Sequence, residues 1–189
     1  EQFAGVAGLR GRKNGEVWST SDISKVRKTN NLIHNSEYID ATAIEYRYKH
    51  KIQGDRAEVI RTSLLKKYQF PKIVGENFIP EGYLWLKLAS DGYKFRWFNQ
   101  VIYITEYLND GLTQNGRTLA KKNCKSHSMM DNLITSIREI PIKDRLISAV
   151  NYYRYGLYSG ARLKILFKES KARYLSIVAI PAAFLFKIK

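Results

Sequence analysis

The sequence predicts an α/β fold in which strands and helices share roughly the first 113 residues and helices alone follow. Up to Thr113, short apolar and aromatic runs typical of strands are separated by turn residues. From Gln114 onward, apolar side chains recur at helical spacing on both sides of Pro141. The composition, 44% hydrophobic and 13% aromatic, is that of a chain that buries a core. We therefore expect two parts, residues 1–113 and 114–189.

The first elements follow from short local signals. The apolar run FAGVAGL predicts a strand, the polar segment GRKNGE a turn, and a helix is expected around Ala41 to Lys49. After a Gly-Asp turn, EVIRTSLLKKYQFP predicts an extended apolar pair and then a short helix. That helix must stop before Pro71, because the residue preceding a proline is disfavoured in the helical region.

Proline and glycine delimit the next helix. Pro80 suits a first helical turn and Gly92 follows the end, so a helix is predicted over about Glu81 to Ser90. The runs YKFRWF and VIYITEYL predict two strands joined at Asn99-Gln100. In the C-terminal part, four apolar positions at helical spacing predict a buried helix face: Leu146, Val150, Tyr153 and Leu157.

Cysteine content and the N-terminal sequence bear on the compartment. The single cysteine, Cys124, cannot form an internal disulfide, so nothing in the sequence demands an oxidising environment. The first residues show neither an initiator Met nor the apolar core of a signal peptide. We expect a cytoplasmic setting and a chain that starts inside a larger gene product.

Charge is concentrated in the C-terminal part. The chain has 32 Lys and Arg against 17 Asp and Glu, a formal charge of +15. Residues 111–189 contain 15 basic and 4 acidic residues, net +11, whereas the first 110 residues carry only +4. Such a surplus favours binding to polyanions, namely nucleic acid, anionic lipid or nucleotide phosphates.

The last segment combines this charge with apolar length. Tyr174 to Phe186 is a run of 13 residues without a charge, bracketed by Lys171, Arg173, Lys187 and Lys189. A bilayer span needs about 20 apolar residues, so the run is too short to cross. It is suited to the membrane interface, or alternatively to packing its apolar side on the rest of the chain.

Two acidic residues stand at the start of the predicted central helix, in GENFIPEGYLWLKLASDG. Glu76 and Glu81 are five residues apart, and Glu81 falls at the helix N-terminus, where backbone N–H groups favour a carboxylate. Such a carboxylate could act as a general base. Acidic residues are also common in first helical turns for purely structural reasons, and spacing alone favours that simpler interpretation.

Three blocks of the chain carry a resemblance to a known family. The segments GDRAEVIRTSLLKKYQFP, GENFIPEGYLWLKLASDGYKFRWFN and VIYITEYLNDGLT resemble, in order and spacing, the second half of a bacterial family 2 glycosyltransferase with the GT-A fold. The likeness covers roughly Phe3 to Thr113. It implies a partial GT-A domain, a short mixed sheet with helices, that lacks the N-terminal nucleotide-binding part.

The resemblance assigns roles to individual residues. In that family an acidic pair opens a helix that ends at a glycine before a strand, and the second acid is the catalytic base. Alignment on Leu84-Trp85 puts Pro80-Glu81 on this pair, so Glu81 inherits the base role although Pro and Glu replace the usual Glu and Asp. Glu76 is then a catalytic helper or a stabiliser of the loop.

The remaining assignments concern the acceptor and the donor. Asp55 and Arg61 lie in the acceptor-side block, and Asp110 and Thr113 in the loop that closes over the donor diphosphate in relatives. A turn aspartate, a solvated arginine and an ordinary loop are equally open interpretations. The implied reaction transfers a sugar with inversion from a nucleotide-sugar to an acceptor hydroxyl. It would serve cell-surface polysaccharide or glycolipid synthesis, peripherally on the inner face of the cell membrane.

The family's metal site has no counterpart in the sequence. Family members hold Mg or Mn on an Asp-x-Asp motif, which is absent from these 189 residues, and His34, His50 and His127 show no metal-ligand spacing. The resemblance places the ligands upstream, so the chain alone is expected to be inactive.

Two other functions remain open from sequence. One is a non-catalytic remnant or scaffold of the same fold, which the missing motif favours. The other is a basic nucleic-acid-binding module. The charge and the 13 tyrosines favour this interpretation, but the sequence contains no recognised binding motif. We expect no nucleic-acid partner, and expect instead a nucleotide-sugar, a glycan or lipid-linked acceptor, an anionic membrane surface and self-association into an oligomer.

Overall fold

The computed structural model describes residues 2–14, 16–17, 33, 36–106 and 116–186. The chain forms two compact units: Glu1–Gln69 with Lys87–Gly111, and Phe70–Leu86 with Leu112–Lys189. The segment 70–86 thus belongs to the same unit as the C-terminal helices. Whether residues 1–113 and 114–189 are separate domains stays a prediction.

A four-stranded mixed sheet forms the centre of the first unit. Its described strands are β1 (Phe3–Gly11), β2 (Tyr38–Ala41), β3 (Arg56–Ile60) and β4 (Lys94–Ile104), in the order β2-β4-β1-β3. The central pair, β1 and β4, is parallel, while β3 pairs antiparallel with β1 and β2 antiparallel with β4. The predicted α/β class with a short mixed sheet is confirmed.

β4 corrects the prediction of two strands joined at Asn99-Gln100. It is one strand of 11 residues in which the pairing with β1 shifts: Ala7 lies opposite Trp97, but Leu9 lies opposite Val101. Extra residues on one strand make a β-bulge, which kinks a strand without ending it. The Asn99 amide bonds both backbone groups of Ile33, at 3.0 and 2.7 Å. The polar side chain of Asn99 thus binds a distant backbone segment and does not mark a turn.

The helix predicted over Ala41 to Lys49 is partly correct. Ala41 ends β2, and the regular helical segment is a π-helical turn, α1 (Glu45–Lys49). Its start is a reciprocal cap, because the Thr42 N–H donates to the Glu45 carboxylate (2.9 Å) and the Glu45 N–H to the Thr42 hydroxyl (3.1 Å). The Tyr46 ring then stacks on Trp97 with centroids 3.9 Å apart, which fastens α1 to the sheet.

Two further helices confirm the proline and glycine signals. The first, α2 (Thr62–Lys67), ends before Pro71 as predicted. The second, α3 (Gly82–Ser90), begins one residue after the predicted start. Two residues after its last residue, Ser90, comes Gly92, whose φ of +79° is a left-handed conformation that glycine adopts without strain.

Helices make up most of the second unit. They are α4 (Gly116–Lys122), α5 (Cys124–Ser136), α6 (Ile142–Tyr158), α7 (Leu163–Glu169), a 3₁₀ turn (Arg173–Leu175) and α8 (Ser176–Leu185). Pro141 is the N-cap residue of α6, which confirms it as the divider of two helices. The predicted inner face of α6 is also confirmed, since Tyr153 is fully buried and the other three positions pack against its cluster.

Within the described ranges, no helix is both long and apolar enough to cross a membrane.

Candidate active site

Glu76 caps a helix that lies 49 residues further along the chain. Its Oε1 accepts the backbone N–H of Lys125 at 2.6 Å, and its Oε2 accepts the N–H of Ser126 at 2.8 Å together with the Ser126 hydroxyl. These N–H groups belong to the first turn of α5, where they have no partner within the helix. A carboxylate there also offsets the positive end of the helix dipole. Both Glu76 oxygens are therefore engaged in holding the loop to α5.

Asn123 also binds this loop. Its Oδ1 accepts the backbone N–H groups of Asn77 and Phe78, both at 3.1 Å, and its Nδ2 donates to the Leu119 carbonyl at 2.9 Å. The side chain is almost fully buried, with 1% exposed. A buried amide with these three bonds fixes the backbone immediately before Pro80.

Glu81 differs from Glu76 in its surroundings. It is exposed and directly precedes α3, and its carbonyl accepts the N–H of Leu84 at 2.9 Å. No ion pair or side-chain hydrogen bond joins its carboxylate to another residue of the described ranges. The carboxylate is therefore open to a proton donor from solution, while the loop behind it is held by Glu76 and Asn123.

His127 lies beside this loop, on α5. Its ring packs on Phe78 (centroids 6.3 Å apart) and on Tyr155 (5.2 Å). Burial lowers the pKa of His127, which the negative charge of Glu76 partly counteracts. Its buried Nε2 has no hydrogen-bond partner among the residues that the structure describes. The ring thus serves as a packing element between the loop and α6.

A buried carboxylate, Asp131, lies one helical turn after His127. It is 6% exposed, and burial raises its pKa to about 7, against the opposing effects of a Ser148 hydrogen bond and the Arg154 charge. Neither the sequence pattern nor the resemblance pointed to this residue. A carboxyl group that titrates near neutrality makes the α5–α6 packing sensitive to pH.

The two predicted acceptor residues belong to the first unit. Asp55 is exposed and pairs with Arg10 at 3.3 Å. Arg61 is exposed and is the N-cap residue of α2, and its backbone N–H donates to the Ala4 carbonyl at 2.9 Å. The acceptor role of both stays a prediction. The donor-loop residues Asp110 and Thr113 lie outside the described residues.

Metal binding finds no support in the described part of the chain. It contains no group of three or more His, Cys, Asp or Glu side chains arranged to hold an ion. The Mg or Mn that the resemblance implies for the intact enzyme, with ligands outside this chain, stays a prediction. No step of a reaction is assigned to a metal on this chain.

The comparisons with known proteins are all negative. No protein family, no curated protein and no solved structure matches the chain. The fold and the site thus stand on the sequence and the structure alone.

The sequence did not point to Asn123 as a residue of this site. Asn123 precedes α5, where asparagine commonly caps a helix, and this preference could have drawn attention to it. In the structure it makes no side-chain cap bond to α5 and binds the distant loop instead. Of the two roles that the sequence leaves open for Glu76, catalytic helper or stabiliser of the loop, its contacts with Lys125 and Ser126 are those of a stabiliser.

Proposed function

We propose that the chain is a piece of an inverting glycosyltransferase of the family 2, GT-A type, with Glu81 as its general base. The observation that carries the proposal is the difference between two nearby carboxylates. Both carboxylate oxygens of Glu76 accept hydrogen bonds, from the α5 backbone and from the Ser126 hydroxyl. Glu81, five residues later, presents an exposed carboxylate at the start of α3.

The local order of elements supports the same proposal. A loop leads into α3, the helix ends at Ser90, Gly92 follows in a left-handed conformation, and β4 begins at Lys94. This is the helix, glycine and strand sequence that the resemblance describes around a catalytic acid. The mixed sheet of the first unit is compatible with a partial GT-A domain.

The proposed reaction is a single displacement at the anomeric carbon of a nucleotide-sugar. The Glu81 carboxylate takes the proton of the acceptor hydroxyl as its oxygen forms the new glycosidic bond. The bond from the anomeric carbon to the diphosphate breaks with its electron pair leaving on the diphosphate, and the configuration inverts. Proton transfer to such a positioned base contributes about 10²- to 10⁴-fold to the rate.

The assignment of Glu81 as general base is tested by Glu81→Gln. The variant is made in a transferase that contains these residues together with a nucleotide-binding half. We expect kcat to fall by about 10²- to 10⁴-fold, because glutamine cannot accept the proton. Donor KM should stay unchanged, since the base contacts the acceptor. Steady-state kinetics measure both, and NMR of the product establishes the anomeric configuration. Unimpaired turnover of the variant, or a retained configuration, would refute the proposal.

The isolated chain provides the second arm of this test. We expect it to transfer little or no sugar from any nucleotide-sugar, because its sequence lacks the Asp-x-Asp motif that holds the donor's metal in the family. Sustained inverting transfer by the chain alone, sensitive to Glu81→Gln, would confirm the base but contradict the assignment as a fragment.

The partners and location follow from the same proposal. The donor is a nucleotide-sugar and the acceptor a glycan or lipid-linked glycan, used on the cytoplasmic face of the cell membrane. The net charge of +15 favours an anionic surface as the neighbour.

A non-catalytic remnant or scaffold of the same fold is the second candidate. It is favoured by the missing Asp-x-Asp motif. In cells that carry Glu81→Gln, an unchanged yield of polysaccharide or glycolipid would favour this alternative over the proposed enzymatic role.

A further inference from the structure

The last helix, α8, packs with Ala179 and Ala183 inward, and most of its large apolar side chains point outward. Ala179 and Ala183 are buried, at 0% and 3% exposed, and belong to the core of the second unit. Ile177 and Leu185, by contrast, are 80% and 82% exposed. A helix that merely capped the unit would bury its largest apolar residues, because they gain most from leaving water.

The exposed residues form one continuous face. With 3.6 residues per turn, five outward positions lie within an arc of about 120° on an ideal helix. We call this face the α8 patch; it comprises Ile177, Val178, Pro181, Phe184 and Leu185. Contiguous apolar surface of this kind on a folded chain marks an interaction site.

The orientation of α8 is held at its start. The Tyr153 hydroxyl and the Ser176 hydroxyl lie 2.6 Å apart in a buried hydrogen bond. Just before, Arg145 donates to the Tyr174 hydroxyl and, through Nε, to the Thr135 carbonyl at 2.9 Å. These contacts link the turn and the first residue of α8 to α5 and α6. The outward direction of the patch is thus built into the packing.

The sequence on both sides of the patch is rich in basic residues, whereas the patch itself carries no charge. Residues 161–189 contain seven basic residues and one acidic residue, Glu169. The described basic side chains among them are all exposed: Arg162, Lys164, Lys168, Lys171 and Arg173. A second copy of the chain would bring like charges together at this patch. An anionic surface complements it.

We propose that the α8 patch docks on an anionic lipid surface and inserts its apolar side chains at headgroup level. The helix has 10 residues and contains Pro181, which lacks the N–H that would bond the Ile177 carbonyl. That carbonyl would be costly to bury in hydrocarbon but is readily hydrated among headgroups. The inference deepens the proposed membrane location and does not depend on the transferase chemistry.

Vesicle co-sedimentation of the full 189-residue chain tests the proposal. The probes are vesicles of phosphatidylcholine alone and of phosphatidylcholine mixed with phosphatidylglycerol. We expect binding to the mixed vesicles, weakened by salt, and at least about tenfold weaker binding to the neutral ones. Equal affinity for both vesicle types, or no binding to the mixed ones, would overturn it.

Two variants separate the apolar and the charged contributions. Ile177→Ser with Leu185→Ser should weaken binding to mixed vesicles at least about tenfold, because two large side chains no longer insert. Lys164→Gln with Lys171→Gln should weaken it roughly fivefold for each charge removed. All four side chains are exposed, so circular dichroism should match the parent chain. Unchanged vesicle binding by the serine variant contradicts the proposal.

Two further measurements are a control variant outside the patch and a test of whether a second copy of the chain binds the patch. Val59→Ser with Val74→Ser removes two exposed apolar side chains outside the patch, 57% and 90% exposed, and should leave vesicle binding unchanged. Sedimentation without lipid tests for a second copy. A dimer that the Ile177→Ser, Leu185→Ser variant abolishes would show that the patch joins two chains, and the lipid proposal would fall.

Discussion

At the scale of single residues, two glutamates five positions apart have opposite structural roles. Glu76 bonds the first turn of α5 through both of its oxygens. Glu81 is exposed and precedes α3. The chemistry of the side chain is the same in both, so the difference lies in which distant backbone groups each carboxylate can reach.

Glu76→Gln should therefore reduce stability. A glutamine has one acceptor oxygen in place of two and carries no charge toward the α5 N-terminus, so we expect a loss of about 1–3 kcal/mol in the free energy of unfolding. Urea denaturation followed by circular dichroism measures it. Glu81→Gln is the matched control and should change this free energy by less than about 0.5 kcal/mol. Equal effects of both variants would contradict the capping role.

Asp131 gives the second unit a pH dependence. Burial raises its pKa from 3.8 to about 7, so the folded chain keeps a proton that the unfolded chain releases. Its contribution to stability is fully present below about pH 4 and is lost as the pH rises through about 7. Each tenfold change in proton affinity corresponds to about 1.4 kcal/mol, which makes the loss a few kcal/mol.

Asp131→Asn should remove this contribution to the pH profile. We expect the difference in unfolding free energy between variant and parent to shift in favour of the variant between about pH 4 and pH 7, as the linkage requires. His127, whose pKa is lowered by burial, acts in the opposite direction, and it is present in both chains. Asp144→Asn, a partly exposed carboxylate on α6, is the control. A pH-independent difference would refute the assignment.

At the scale of elements, the close approach of β1 and β3 depends on a glycine. A Cβ atom added at Gly5 would lie 1.8 Å from the carbonyl oxygen of Val59, which is a backbone atom and cannot rotate away. The sheet can accept a side chain there only if the two strands separate.

Gly5→Ala should accordingly break the pairing of β1 with β3. We expect a loss above about 4 kcal/mol, or a chain that does not accumulate in folded form. Urea denaturation measures the loss, and expression yield records failure to fold. Gly116→Ala, at the start of α4 with open space around the new Cβ, is the control and should be neutral or stabilising by about 1 kcal/mol. A stable Gly5→Ala chain would contradict the strand pairing.

At the scale of the whole molecule, charge and apolar surface are distributed unevenly along the chain. The C-terminal residues 111–189 carry +11 of the +15, and the same part contains the α8 patch. The sheet and its aromatic packing lie in the other unit. The proposed membrane contact thus lies in the C-terminal helices, and the proposed base lies at the start of α3 (Gly82–Ser90).

The sequence alone determined several elements, because their signals are local. Pro80 and Gly92 bracket α3, Pro141 divides α5 from α6, and the run of residues 3–9 forms most of β1. Steric limits on proline and glycine act within one or two residues, so no partner is needed to read them. The high basic charge of the tail and its apolar run are likewise properties of composition.

Tertiary structure alone decided the properties that depend on distant partners. Glu76 became a cap because Lys125 and Ser126 come to it from some 50 positions away, and β4 stayed one strand because β1 pairs on both sides of its bulge. The apolar tail faces outward because small residues of α8 fill the contact with the core. Such outcomes reflect packing between segments, and neither spacing nor composition encodes which segments meet.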